Sequence, residues 1–139
     1  MGRVIHGAPI VAGEARGRAL VSQEPLSFWG GYDQQTGEII DRRHPLSGQQ
    51  AAGCVLALPA ARGSSTTTSV LLEAVRAGTA PAALLTDGVD RFLALASIVA
   101  EEMYGRPIPL ITLSSADFET LRTGQWIEVQ PDGSLHIAE

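Results

Sequence analysis

The sequence predicts an α/β protein: a compact sheet, or half-open barrel, with two main helices packed on it. Three observations carry this. Apolar, strand-length runs recur at 54–58, 81–85 and 108–113. Helical patterns fill the gaps between them. Short strand patterns dominate the first third of the chain and return as a hairpin at its end.

Taken in order, residues 4–7 and 15–22 read as short strands around Pro9 and Gly13. In the second, Ala15, Gly17, Ala19 and Val21 alternate with Arg16, Arg18, Leu20 and Ser22, a period of two. The segment Pro25-Leu-Ser-Phe-Trp-Gly-Gly-Tyr sets three aromatics beside a double glycine, so Phe28 and Trp29 read equally as local core or as a contact surface. Residues 33–37 form a turn in which Gly37 can supply a positive φ. Glu38 to Asp41 reads as a brief strand and 42–48 as loop, with His44-Pro45 as a turn and Asp41-Arg42-Arg43 as a solvated loop rather than an anion site. In the second helix, residues 91–104, Phe92, Leu95, Ala96, Val99 and Met103 fall on one side at helical spacing. Gly105 caps it and Pro107 prevents continuation. After the strand at 108–113, Ser114 or Ser115 opens a short helix through Arg122, closed by Gly124. Residues 125–129, a Pro131-Asp-Gly turn and 134–137 make the terminal hairpin. No repeat or linker interrupts 1–139, which reads as one domain.

Composition removes several function classes. A net charge of −5 argues against a nucleic-acid surface. All 10 basic residues are arginine, which excludes Schiff-base, P-loop and general-base lysines. Cys54 is the only cysteine, and His6, His44 and His136 have no ligand spacing, so no metal site is expected on this chain. No basic leader or membrane-length apolar run is visible, which makes a soluble, cytoplasmic protein without a membrane partner the expectation.

The stretch around which the chain is organised follows the strand at 54–58. Pro59 ends the strand, a loop carries Arg62 and Gly63, and Ser64-Ser-Thr-Thr-Thr-Ser opens a helix that stops at Gly78. The first turn of a helix has unpartnered N–H groups and the positive end of the dipole, which suits an anion. Ser64 is the candidate N-cap, followed by Ser65 and Thr66 in the first turn. Arg62 adds a planar fork for a carboxylate or phosphate. A cap needs one hydroxyl, and Ser64 has five more directly behind it. In open α/β sheets ligands sit at the carboxyl ends of strands, where this loop lies.

Pro25-Leu-Ser-Phe-Trp-Gly-Gly, Thr36-Gly-Glu-Ile-Ile-Asp and Arg62-Gly-Ser-Ser, followed by Val70-Leu-Leu-Glu-Ala-Val-Arg-Ala-Gly-Thr-Ala-Pro-Ala-Ala, resemble the aconitase X swivel domain. The resemblance covers roughly residues 17–113 and implies a swivelling β/β/α fold, aconitase swivel-like. It also implies a partner: a large aconitase-like catalytic subunit, fused or separate, that carries an iron–sulfur centre and most of the substrate pocket. Family members are dehydratases acting on cis-3-hydroxy-L-proline in bacteria or phosphomevalonate in archaea. The family's catalytic serine follows the second glycine of Gly-Arg-Gly-Ser, a position that here is Ser64. Ala61 stands where glycine is common, and Gln34 where proline is frequent. A positive φ at Ala61 would be strained.

The chemistry implied is loss of water from a small hydroxy acid. Ser64 is the expected base, its alkoxide favoured by the helix N-terminus and by Arg62, or with Arg62 holding the substrate carboxylate. Gly63, Ser65 and Thr66 are the expected substrate contacts beside it. Arg62-Gly-Ser-Ser ahead of Leu-Leu-Glu-Ala resembles the bacterial branch, whereas archaeal chains more often read Gly-Lys-Gly-Ser. This favours cis-3-hydroxy-L-proline, with the phosphomevalonate dehydratase small subunit as the alternative. A phosphohistidine carrier would need a histidine in the hydroxyl-rich loop, and none lies between His44 and His136. A serine hydrolase would want Gly-x-Ser-x-Gly, but Ser65 and Thr66 follow Ser64. A non-catalytic anion-binding or regulatory module is the remaining alternative.

Overall fold

The computed structural model describes residues 2–62 and 66–138. Its strands are β1 (Gly2–His6), β2 (Ala8–Val11), β3 (Ala15–Val21), β4 (Val55–Ala57), β5 (Ala83–Asp87), β6 (Leu110–Leu113), β7 (Trp126–Val129) and β8 (Ser134–Ala138). The helices are α1 (Phe28–Gly31), α2 (Thr66–Ala77), α3 (Arg91–Tyr104) and α4 (Ser115–Glu119). Among the described residues these strands form an 8-stranded sheet in the order β1-β8-β7-β3-β4-β5-β6-β2. The central strands β3, β4, β5 and β6 run parallel. The flanking pairs are antiparallel.

The two edge strands, β1 and β2, are joined through Gly7 alone, so the sheet must curl until the end of β1 lies beside the start of β2. This is the half-open barrel of the sequence reading. The closure demands glycine. A Cβ on Gly7 would lie 2.4 Å from Ile111 Cγ2, and one on Gly133 (φ 90°) would lie 2.6 Å from the Gly7 carbonyl oxygen. Gly7 N–H donates to that same Gly133 through its carbonyl, at 3.1 Å.

Side chains of the central strands alternate between two cores, as period-two geometry requires. Val55, Ala57, Ala83, Leu85 and Ile111 face one cluster with Phe118, Ile127 and Leu135. Leu56, Leu58, Leu84 and Leu110 face the other, with Leu71, Ala74 and Leu93 from α2 and α3. Asp90 caps α3 by accepting from the Phe92 and Leu93 N–H groups, and Gly105 ends it in the left-handed region at φ 65°.

The sequence reading departs from the structure in four places. The short helix expected to run through Arg122 is α4, which ends at Glu119. Of the predicted α3 face, only Ala96 is buried; the helix instead buries Leu93, Ala96, Ser97 and Ala100. Phe92, Leu95 and Met103 are exposed. Small residues face inward because α3 lies closely against α2, and the Ser97 hydroxyl is satisfied there by donating to the Ile108 carbonyl and accepting from its N–H. Residues 38–41 do not form a strand, only isolated bridges from Glu38 and Ile39 to Gln50 and Tyr32. Residues 8–11, around Pro9, do form an edge strand on β6 with an irregular register at the proline.

Candidate functional site

The site is built at the carboxyl end of β4. The strand leads through residues 58–60 to Ala61, whose N–H donates to Asp90 Oδ2 at 2.8 Å. One carboxylate therefore caps α3 and holds the loop, through different oxygens. Arg62 N–H donates to the Leu26 carbonyl at 2.8 Å, and Leu26 and Ala61 form a parallel bridge. Among the described residues no non-glycine has a positive φ, so Ala61 takes its place without strain. Thr66 opens α2 and is exposed. Behind it Thr68 carries a buried Oγ1 with no hydrogen-bond partner. Gly63, Ser64 and Ser65, the predicted base and two of its predicted neighbours, lie outside the described residues.

Phe28 and Trp29 separate. Phe28 is fully buried, its ring 5.5 Å from that of Tyr32, whereas Trp29 is 70 % exposed. The kink at Gly30 (φ 77°) turns adjacent aromatics in different directions. Tyr32 donates its hydroxyl to the Thr79 carbonyl at 2.6 Å, and burial, with a smaller effect of Cys54, pushes its phenol well above the ordinary range.

Beside Arg62 the structure forms a recess of about 290 Å³ that sequence reading missed. Glu24, Pro25, Ser27, Asp41, Arg43 and His44 line it with Arg62. His44-Pro45 lies in a turn, as expected, and within it His44 is buried, at 7 % exposure, while Arg42 and Arg43 are exposed. His44 Nδ1 accepts from Leu46 N–H at 3.1 Å, which places the ring proton on Nε2, 3.3 Å from the Glu24 carbonyl it donates to. Buried Ser22 accepts from Glu24 N–H at 2.9 Å and donates to the Glu24 carbonyl at 3.0 Å. Two buried polar side chains thus clamp the 24–27 and 41–46 segments together. Residues 24, 43 and 62 share no local pattern from which the sequence could have shown that they meet.

The described residues do not fit a cluster or metal ion. No group of three or more His, Cys, Asp or Glu side chains converges among them. The Cys54 thiol donates to the Gln50 carbonyl at 3.3 Å, and burial raises it above its ordinary value against a smaller lowering by Arg18. No described helix is long and apolar enough to cross a membrane.

A curled β sheet with α2 and α3 packed on one face and α4 on the other defines a swivel-type β/β/α module. The family model for the aconitase X swivel domain matches residues 4–137, and the chain belongs to that family. It is 47 % identical over 128 residues to cis-3-hydroxy-L-proline dehydratase of Pseudomonas aeruginosa, covering 92 % of this chain and 22 % of that protein. The chain thus spans about a fifth of the length of that relative. It is 35 % identical over 131 residues to the phosphomevalonate dehydratase small subunit of Thermococcus onnurineus, covering 94 % and 95 % of the two chains. A solved structure of Thermococcus kodakaraensis aconitase X in its holo-form superposes with a TM-score of 0.86 at 31 % identity, covering 99 % of each chain.

Proposed function

We propose that this chain is the swivel subunit of an aconitase X-type hydro-lyase, removing water from a small hydroxy acid in a site shared with a large catalytic subunit. The observation that carries the reading is the 47 % identity, over nearly the whole chain, to a cis-3-hydroxy-L-proline dehydratase. We take that hydroxyproline as the substrate. Phosphomevalonate is the second reading, supported by the matching lengths of this chain and the Thermococcus small subunit. The whole of 1–139 acts as one swivel domain in this account, in the cytoplasm.

In the proposed reaction Ser64 takes the α-proton, the C–H electron pair forms the new double bond, and hydroxide departs from the neighbouring carbon. Proton and hydroxide leave as water. A serine hydroxyl is a weak acid, so its alkoxide needs local positive charge. Arg62 supplies a full charge two residues away in sequence, and α2, starting at Thr66, supplies its N-terminal dipole. Gly63, Ser65 and Thr66 contact the substrate beside Ser64. An iron–sulfur centre on the large subunit would supply the electrophile for the departing hydroxide.

The test is reconstitution. Co-expressed with an aconitase X large subunit, the chain should support dehydration of cis-3-hydroxy-L-proline, and neither subunit alone should do so. Turnover of phosphomevalonate in its place selects the second reading. An assembled pair that dehydrates neither compound overturns both.

A further inference from the structure

Seen down its axis, α3 divides into two faces. Leu93, Ala96, Ser97 and Ala100 face the core. At about 100° per residue, the line diametrically opposite them carries Arg91, Leu95, Ile98 and Glu102. All four are exposed, Leu95 at 48 % and Ile98 at 50 %. Their spacing of four, three and four residues is that of a coiled-coil seam, here two apolar positions between an arginine and a glutamate. Phe92 and Met103, also exposed, flank this line.

The charges on this line run against the helix that carries them. Arg91 sits at the positive end of the α3 dipole and Glu102 near the negative end, while the first turn holds no acidic residue and the last no basic one. Neither Arg91 nor Glu102 has an ion-pair partner among the described residues. Within one chain the arrangement is unfavourable. A second α3 laid antiparallel removes the conflict, because it brings its own negative end, with its Glu102, to Arg91. The register is also self-matching. A two-fold axis midway between residues 96 and 97 sets Arg91 against Glu102, and Leu95 against Ile98, of the second copy. The same pairs then recur in reverse, as a two-fold interface requires. A parallel copy would set each charge against its like.

We propose that the outer face of α3 is a self-association surface, through which two copies of this chain pair by antiparallel helices. Contact along a helix of 14 residues, about 21 Å, falls among the small interfaces, below about 1,200 Å², and gives a dimer of about micromolar affinity. Asp90 links the N-terminus of α3 to the Arg62 loop. Antiparallel pairing therefore sends the two Arg62 loops to opposite ends of the helix pair, away from each other.

The test is sedimentation velocity of the full chain from about 1 to 200 µM, a range that brackets micromolar affinity, with a melting curve for each variant. The wild type should move from one-chain to two-chain mass across this range. Leu95→Glu should hold it at one-chain mass throughout, because it would bury an unpaired charge in the seam. Arg91→Glu and Glu102→Arg, each alone, should weaken pairing about ten-fold, since each turns both symmetry-related pairs into like charges. Mixing those two variants, or combining both substitutions in one chain, should restore pairing. A wild type that keeps one-chain mass at the highest concentration overturns the surface. Association that the single swaps leave unchanged, or that mixing fails to restore, overturns it as well. If the wild-type chain stays single while Leu95→Glu blocks assembly with an aconitase X large subunit, the face belongs to that subunit and the self-association is wrong.

Discussion

The barrel closure and the recess beside Arg62 are held by opposite means. At the closure, Gly7 and Gly133 bring two backbones together where a single added carbon would collide with Ile111 or with a carbonyl oxygen. At the recess, buried Ser22 and His44 tie the 24–27 and 41–46 segments together, and charged side chains line the space beside them. One region achieves contact by removing side chains, and the other by satisfying buried polar atoms. Close backbone packing marks the first, and exposed charge marks the second. A substitution at one should leave the other's property largely intact.

Gly133→Ala should be the most damaging change. It combines a φ of 90° with a Cβ 2.6 Å from backbone, and should cost about 3 kcal/mol or more. Thermal melting checks this, and a melting temperature near that of the parent chain would remove the closure argument. Asp90→Ala should cost about 1–3 kcal/mol, because it loses the α3 cap and strands the Ala61 N–H. Since Asp90 spans both a helix end and the Arg62 loop, activity of the assembled enzyme should fall with it, and Asp90→Asn should recover much of the stability. Cap loss with unaltered activity would separate the loop from the site.

His44→Ala should cost about 1–2 kcal/mol and raise KM more than it lowers kcat, as expected if the histidine only positions the recess walls. A fall in kcat at unchanged KM would instead put the ring in the chemistry. The smallest effect concerns Cys54. With its thiol raised by burial, less thiolate is present at pH 8 than in a free cysteine. Alkylation of the folded chain should be slower than that of the denatured chain, and equal rates would contradict the burial.

The β4, β5 and β6 strands, the end of α3 and the terminal hairpin were legible in the sequence because local chemistry specifies them: apolar runs, an αL glycine, a Pro-Asp-Gly turn. The inward face of α3 was not. Its residues 92–100 are apolar or small all round, so spacing alone cannot choose a side, and closeness to α2 selects Ala96, Ser97 and Ala100. The Arg62 loop was legible as the connection from β4 to α2, because Pro59 ends the strand and the hydroxyl run opens the helix. Its neighbours Glu24, Asp41 and Arg43 were not, since residues far apart in sequence meet only through the Leu26–Ala61 bridge and the His44 contacts.

The central claim is that the loop between Arg62 and Thr66 supplies the base. The measurement is kcat of the assembled enzyme with Ser64→Ala, alongside Ser65→Ala and Ser64→Asp, each with a melting curve. Ser64→Ala should lower kcat about 10²–10⁴-fold while substrate binding changes much less. Ser65→Ala should be milder, and Ser64→Asp should fail because it sets a carboxylate against the substrate's own. If Ser64 only caps α2, Ser64→Ala would cost about 0.5–2 kcal/mol of stability and Ser64→Asp would be harmless. Near-normal turnover in a folded Ser64→Ala complex would contradict the account.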